Sequence, residues 1–195
     1  MKISKTLRKE LLEWGLFLGI IAGLYLTGLH TPVFGFLQSL VLKTGLIRPK
    51  ISADDAVTAD YRFRITDRGG QTVSFEDFRG KVVFLNFWAT WCPPCIAEMP
   101  DIHRLYEATA AHPDIEFVMI SLDDDFSKAT AFADRKDFRF PLYRLASPLT
   151  PAFQSNSIPT TFLLDKRGRI ISRKAGMAKY NTDSFRSLMM SLAAE

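Results

Sequence analysis

The 195-residue chain has little cysteine, little histidine and little net charge. With 2 Cys, a disulfide-stapled small domain is excluded, as is a zinc site built from four cysteines. His30, His103 and His112 show no paired ligand spacing. The 25 Lys and Arg stand against 21 Asp and Glu, a net charge of +4, and several basic residues crowd the amino end. No basic stripe of the kind that binds nucleic acid is present. There is no internal repeat and no low-complexity tract. Core material is plentiful: 47% of residues are hydrophobic, with 16 Phe and 3 Trp, which argues against disorder. The length suits one ordinary domain with something added.

The addition lies at the amino end. Residues 1–10 carry Lys2, Lys5, Arg8 and Lys9, and residues 11–29 are almost wholly apolar apart from Glu13. That run is near the roughly 20 residues a membrane-crossing helix needs. Basic residues before it place the amino end in the cytoplasm and send the rest outside. A cleaved signal peptide competes with this reading, but its apolar region is shorter and no small-residue cleavage pattern follows. Residues 31–47 are apolar but interrupted by Gln38 and Lys43, opened by Pro32 and weakened by Gly35 and Gly45. Phe34, Leu37, Val41 and Thr44 keep helical spacing, as in an interfacial amphipathic helix. The alternative, a second crossing, would return the chain to the cytoplasm. Gly15, Gly19, Gly23 and Thr27 recur every fourth residue, a spacing that permits helix–helix dimerisation and is also ordinary in membrane helices. Residues 49–59 read as a linker.

From residue 60 onward, short strands alternate with helices, which indicates an α/β domain. Residues 61–65 and 72–75 flank Gly69-Gly70 as a hairpin. Residues 82–88 are a continuous apolar run, the pattern of a buried central strand. A helix over residues 93–111, a buried strand over 115–122 and a helix capped by Asp125 follow. Residues 161–164 and 170–173 flank a second hairpin turn, and a last helix begins near residues 181–183. The run Asp123-Asp124-Asp125 reads as a solvated strand end and helix cap.

The two cysteines form Trp91-Cys92-Pro93-Pro94-Cys95, directly after the strongest strand and at a helix start. Three residues apart there, their side chains can reach disulfide geometry. Cys92 faces the unpaired N–H groups and positive end of the helix, which favour thiolate over thiol. Its thiolate can attack another protein's disulfide, and Cys95 can resolve the mixed disulfide. Pro93 and Pro94 suit the first helical positions, yet they remove two donors to sulfur. A purely structural bridge this short would restrain little chain entropy. Zinc lacks two further ligands, and covalent haem attachment needs His where Ile96 stands.

The segment Asn86-Phe87-Trp88-Ala89-Thr90-Trp91-Cys92-Pro93-Pro94-Cys95 resembles the active site of the thioredoxin superfamily, and most closely its membrane-anchored TlpA/ResA-type thiol–disulfide oxidoreductases. Pro100 matches a helix-kinking proline, Ser157-Ile158-Pro159-Thr160 a loop with a cis proline, and Gly176 a glycine late in the fold. The resemblance implies a thioredoxin-like fold, a central mixed sheet flanked by helices, with an extra strand–helix block near residues 131–145. It implies that Cys92 is an exposed nucleophile and Cys95 the resolving thiol. Pro159 and Pro93 border the substrate groove, Ile158 pairs by its backbone with a client strand, and Trp91 supplies apolar surface. Cytoplasmic thioredoxins carry a buried Asp where this chain has Asn86. Glu98, one turn beyond Cys95, is the carboxylate found at that spacing in the resembling subgroup. Buried, it would accept the Cys95 proton; solvated, it would be an ordinary helix glutamate. Peroxiredoxins need Thr where Ala89 stands.

No cofactor is implied. The resemblance points to disulfide-bearing extracytoplasmic clients, such as apocytochrome c or copper-site assembly proteins, and to a membrane thiol transporter as electron donor. Two other readings remain open: a disulfide-forming oxidant, and a non-catalytic module that holds clients by strand addition.

Overall fold

The computed structural model describes residues 5–26, 49 and 57–195. Helix α1 (Lys5–Leu26) comes first, with Lys9 and Glu13 paired at 3.8 Å across one turn. Among the described residues, no helix is both long and apolar enough to cross a membrane. The span expected at residues 11–29 falls on α1 as far as Leu26; residues 27–29, and the interfacial segment expected at 31–47, lie outside the described residues.

The remaining elements are strands β1 (Val57–Thr58), β2 (Arg64–Asp67), β3 (Thr72–Ser74) and β4 (Val82–Trp88), helix α2 (Pro93–Thr109), strand β5 (Ile115–Ser121), helix α3 (Phe126–Arg135), strands β6 (Leu142–Leu145), β7 (Thr160–Leu164) and β8 (Arg169–Ala175), and helix α4 (Asp183–Ala194). The strands form one mixed sheet in the order β1-β8-β7-β4-β5-β6-β2-β3. Strands β4, β5 and β6 run parallel; β7 lies antiparallel to β4, and β8 to β7. The β2–β3 hairpin joins antiparallel through β2 to β6.

Strand β4 explains the layering. All of its residues are buried, as a strand covered on both faces requires. Alternate side chains point to opposite faces. Val82, Phe84 and Trp88 enter a core layer with residues of α2, α3 and α4, whereas Val83, Leu85 and Phe87 enter a second layer. That second layer is closed by Tyr61, Phe63, Phe75, Phe78 and Phe153. Phe63 and Phe75 stack with centroids 4.3 Å apart. By the same alternation Asn86, fully buried, falls on the helix-covered face.

Three expectations need correction. The first hairpin strand starts at Arg64, because Tyr61 and Phe63 are core residues in a tight turn, with the Phe63 amide donating to the Tyr61 carbonyl at 2.8 Å. Residues 131–145 hold the end of α3 and strand β6 in place of a further strand–helix pair; between them Asp137 adopts φ 53°. The folded domain takes in Val57 and Thr58, paired with Ile170 and Arg169, and buried Ala59, whose amide donates to Gly168. These three residues had read as linker.

Candidate active site

Strand β4 ends at Trp88, and the chain turns through Ala89, Thr90 and Trp91 into α2, whose cap is Cys92. Pro93 and Pro94 begin the helix and have no N–H, so the first free donor is Cys95. Its amide points at Cys92 Sγ from 3.3 Å. Cys92 and Cys95 are joined as a disulfide, with Cα atoms 5.3 Å apart. Cys95 is fully buried and Cys92 is 4% exposed, so Cys92 is less open than the exposed nucleophile expected. The reason is local: Cys92 Sγ lies 3.7 Å from the Ile158 carbonyl oxygen, under the loop before β7. The apolar surface beside the pair is Trp91, 60% exposed.

The Ile158-Pro159 peptide bond is cis. This loop is held from two sides. The Thr160 hydroxyl donates to the Ser157 carbonyl at 2.7 Å, and Gly176 donates its amide to the Pro159 carbonyl at 2.8 Å. Gly176 does so at φ 77°, a conformation that costs L residues energy and achiral glycine none.

Glu98 is fully buried, which removes the solvated alternative. Asn86 Nδ2 donates to Glu98 Oε1 at 2.9 Å, and the Ala178 amide donates to Oε2 at 3.2 Å. Asn86 Nδ2 also donates to Thr161 Oγ1 at 2.8 Å. Burial pushes the Glu98 carboxyl up to about 8. The hydrogen bonds from Asn86 and Ala178 and the Lys174 ammonium pull against this rise, and Asp101 adds to it. Near neutrality such a carboxyl exchanges protons readily, the property a base for the neighbouring thiol needs.

Two acids escaped the sequence reading. Asp123 is buried, not solvated: its carboxylate accepts from the Thr90 amide at 3.0 Å, the Thr90 hydroxyl at 2.6 Å and the Ser121 hydroxyl at 2.8 Å. It therefore pins the turn that presents Trp91 and Cys92. Asp101, one turn beyond Glu98 on α2, accepts from the amides of Tyr180 and Asn181 at 2.7 and 2.9 Å. Glu98 and Asp101 thus both tie the segment before α4 to the redox helix. The i,i+3 spacing of these two acids was a visible signal; nothing in the linear order announced Asp123. The third acid of its run, Asp125, caps α3 through the Ser127 amide at 2.9 Å, as expected.

A Redoxin family model matches residues 52–187, and the chain belongs to that family. It is 32% identical over 115 residues to the thiol-disulfide oxidoreductase ResA of Bacillus cereus, covering 58% of this chain and 66% of that protein. It is 36% identical over 109 residues to ResA of Geobacillus kaustophilus, covering 55% and 62%. The matched region thus spans just under two thirds of these relatives. Among solved structures, StoA of Bacillus subtilis superposes with a TM-score of 0.52 at 24% identity, covering 67% of this chain and 94% of StoA. The fold is thioredoxin-like, α/β with a central mixed sheet and flanking helices.

Proposed function

We propose that this protein is a thiol–disulfide oxidoreductase that reduces specific disulfides of extracytoplasmic proteins while anchored in the bacterial cytoplasmic membrane by its amino-terminal helix. The observation that carries the reading is the Cys92–Cys95 pair at the start of α2, with the Cys95 amide on Cys92 Sγ and the cis-Pro159 loop over it. In the reduced state the Cys92 thiolate attacks one sulfur of a client disulfide. A mixed disulfide forms and the other client sulfur leaves as thiolate, taking a proton. Glu98 takes the Cys95 proton; the Cys95 thiolate then attacks Cys92 Sγ, forms the intramolecular disulfide and expels the second client thiol. The client is reduced by two electrons and the Cys92–Cys95 pair is oxidised by two. A membrane thiol transporter returns the pair to the dithiol. Trp91, Pro93, Ile158 and Pro159 form the surface that meets the client strand, as the resemblance implies.

Anchoring is supported by the sequence: basic residues precede the apolar run at residues 11–29, which continues past the described end of α1. The small-residue face of Gly15, Gly19 and Gly23 on that helix would let two copies associate. The test of the chemistry is trapping. Cys95→Ser accumulates a mixed disulfide between Cys92 and client, seen as a reducible adduct by mass. Cys92→Ser traps nothing, and both variants lose turnover. Retained biological function in both would replace the enzyme by a client-holding module.

A further inference from the structure

We propose that Asn86 is a positioning residue whose side-chain amide turns over with the proton on Glu98, donating to the carboxylate and accepting from the acid, with the Thr161 hydroxyl as its pivot. The inference rests on the reading that Glu98 takes the Cys95 proton.

Asn86 spends both of its N–H donors, on Glu98 Oε1 and on Thr161 Oγ1. Its Oδ1 is buried and has no hydrogen-bond partner among the described residues. This arrangement suits an ionised Glu98, which only accepts. When Oε1 takes a proton and aims it at Asn86, its O–H meets the Asn86 N–H, donor against donor, in a site without exposure. A half-turn of the amide exchanges nitrogen and oxygen with almost no change in shape. Oδ1 then stands where Nδ2 stood, within hydrogen-bond reach of Glu98 Oε1 and Thr161 Oγ1, and accepts one O–H from each. Thr161 serves both orientations because a hydroxyl is donor and acceptor. Glu98 Oε2 keeps the Ala178 amide in either state.

The other polar groups facing Glu98 cannot do this. Asp101 on α2 and Lys174 on β8 act on it through charge; the Ala178 N–H can only donate. Tyr180 ahead of α4 is a neutral phenol, its own proton held more tightly by burial and by the Glu98 charge. An ionised aspartate in place of Asn86 would accept from the acid but could not donate to the carboxylate. Asn86 is the neighbour that can donate to the carboxylate and accept from the acid without moving a helix.

The test is NMR on the full-length protein in detergent, with 13C at Glu carboxyls and 15N at Asn side chains. The expected result is that the Asn86 amide resonances change with the Glu98 midpoint, the amide protons losing their contacts to Thr161 as Glu98 gains its proton. Thr161→Val uncouples the two titrations and Thr161→Ser restores the coupling. Amide contacts to Thr161 that persist on both sides of the Glu98 midpoint overturn the proposal. The functional reading fails separately: if Asn86 follows Glu98 but Glu98→Gln leaves the pH–rate profile unchanged, the switch stands and the role of Glu98 in resolution falls.

Discussion

Glu98 holds its proton to about pH 8 in the folded chain, against an ordinary carboxyl value of 4.5. Between those values Glu98 binds one more proton in the folded state than in the unfolded state, so its contribution to stability falls as pH rises through the window, at up to ~1.4 kcal/mol per pH unit. Glu98→Gln removes that contribution. Urea midpoints of parent and variant, measured across the window, should diverge with pH, the parent losing stability faster. The rate has the opposite sense, because the ionised form is the base. Exchange by the parent should rise with pH through about 8, and Glu98→Gln should lower the upper plateau by ~10²-fold and flatten the rise. A coincident rate profile would exclude Glu98 from proton transfer whatever the stability data show.

The elements carry their own tests, and they show what can be read in one dimension. Asp123→Ala leaves the buried end of the Thr90 turn without its acceptor, a loss of ~1–3 kcal/mol that a denaturant midpoint will register; exchange should slow as well, because the turn presents Cys92. Gly176→Ala forces a side chain into the left-handed region at φ 77°, costing about 1–2 kcal/mol, and loosens the Pro159 loop it braces. An unchanged melting midpoint in that variant would remove the bracing argument. Strand β4 was legible to the residue because a seven-residue run, apolar but for Asn86, bounded by Gly80 and Lys81 has few other fates, and the cysteine pair was legible from its place after that strand. Tyr61 and Phe63 were misread because burial without strand pairing leaves the same apolar, alternating mark. Strand β1 has two residues and no pattern of its own; only its pairing with β8 makes it a strand. Asp123 looked solvated because charge runs usually are; Ser121 lies only two residues away, but Thr90 meets it only through the parallel pairing of β4 with β5.

At the scale of the whole molecule the questions are whether the amino end crosses a membrane, on which side the domain then lies, and which way electrons move. Reporters fused after Leu29 and after Lys50 should both report the outer face if the amino end crosses once; a cytoplasmic signal from the second would mean a helical hairpin and a cytosolic reductase. Electron direction is a matter of potential. An oxidant stabilises its thiolate strongly. Here Pro93 and Pro94 supply no N–H to sulfur, and among the described backbone amides the one hydrogen-bonded to Cys92 Sγ is that of Cys95. Few donors mean a thiolate held less tightly, which supports the proposed reading of a pair that gives electrons up. Full-length protein equilibrated against a thiol buffer, with Trp88 and Trp91 as fluorescence reporters, should therefore come to a potential near the roughly −270 mV of thioredoxin. A value near the roughly −120 mV of a strong oxidant would reverse the direction. The same cysteines, groove and carboxyl would then form disulfides in clients, and the proposed membrane donor would have to be an acceptor.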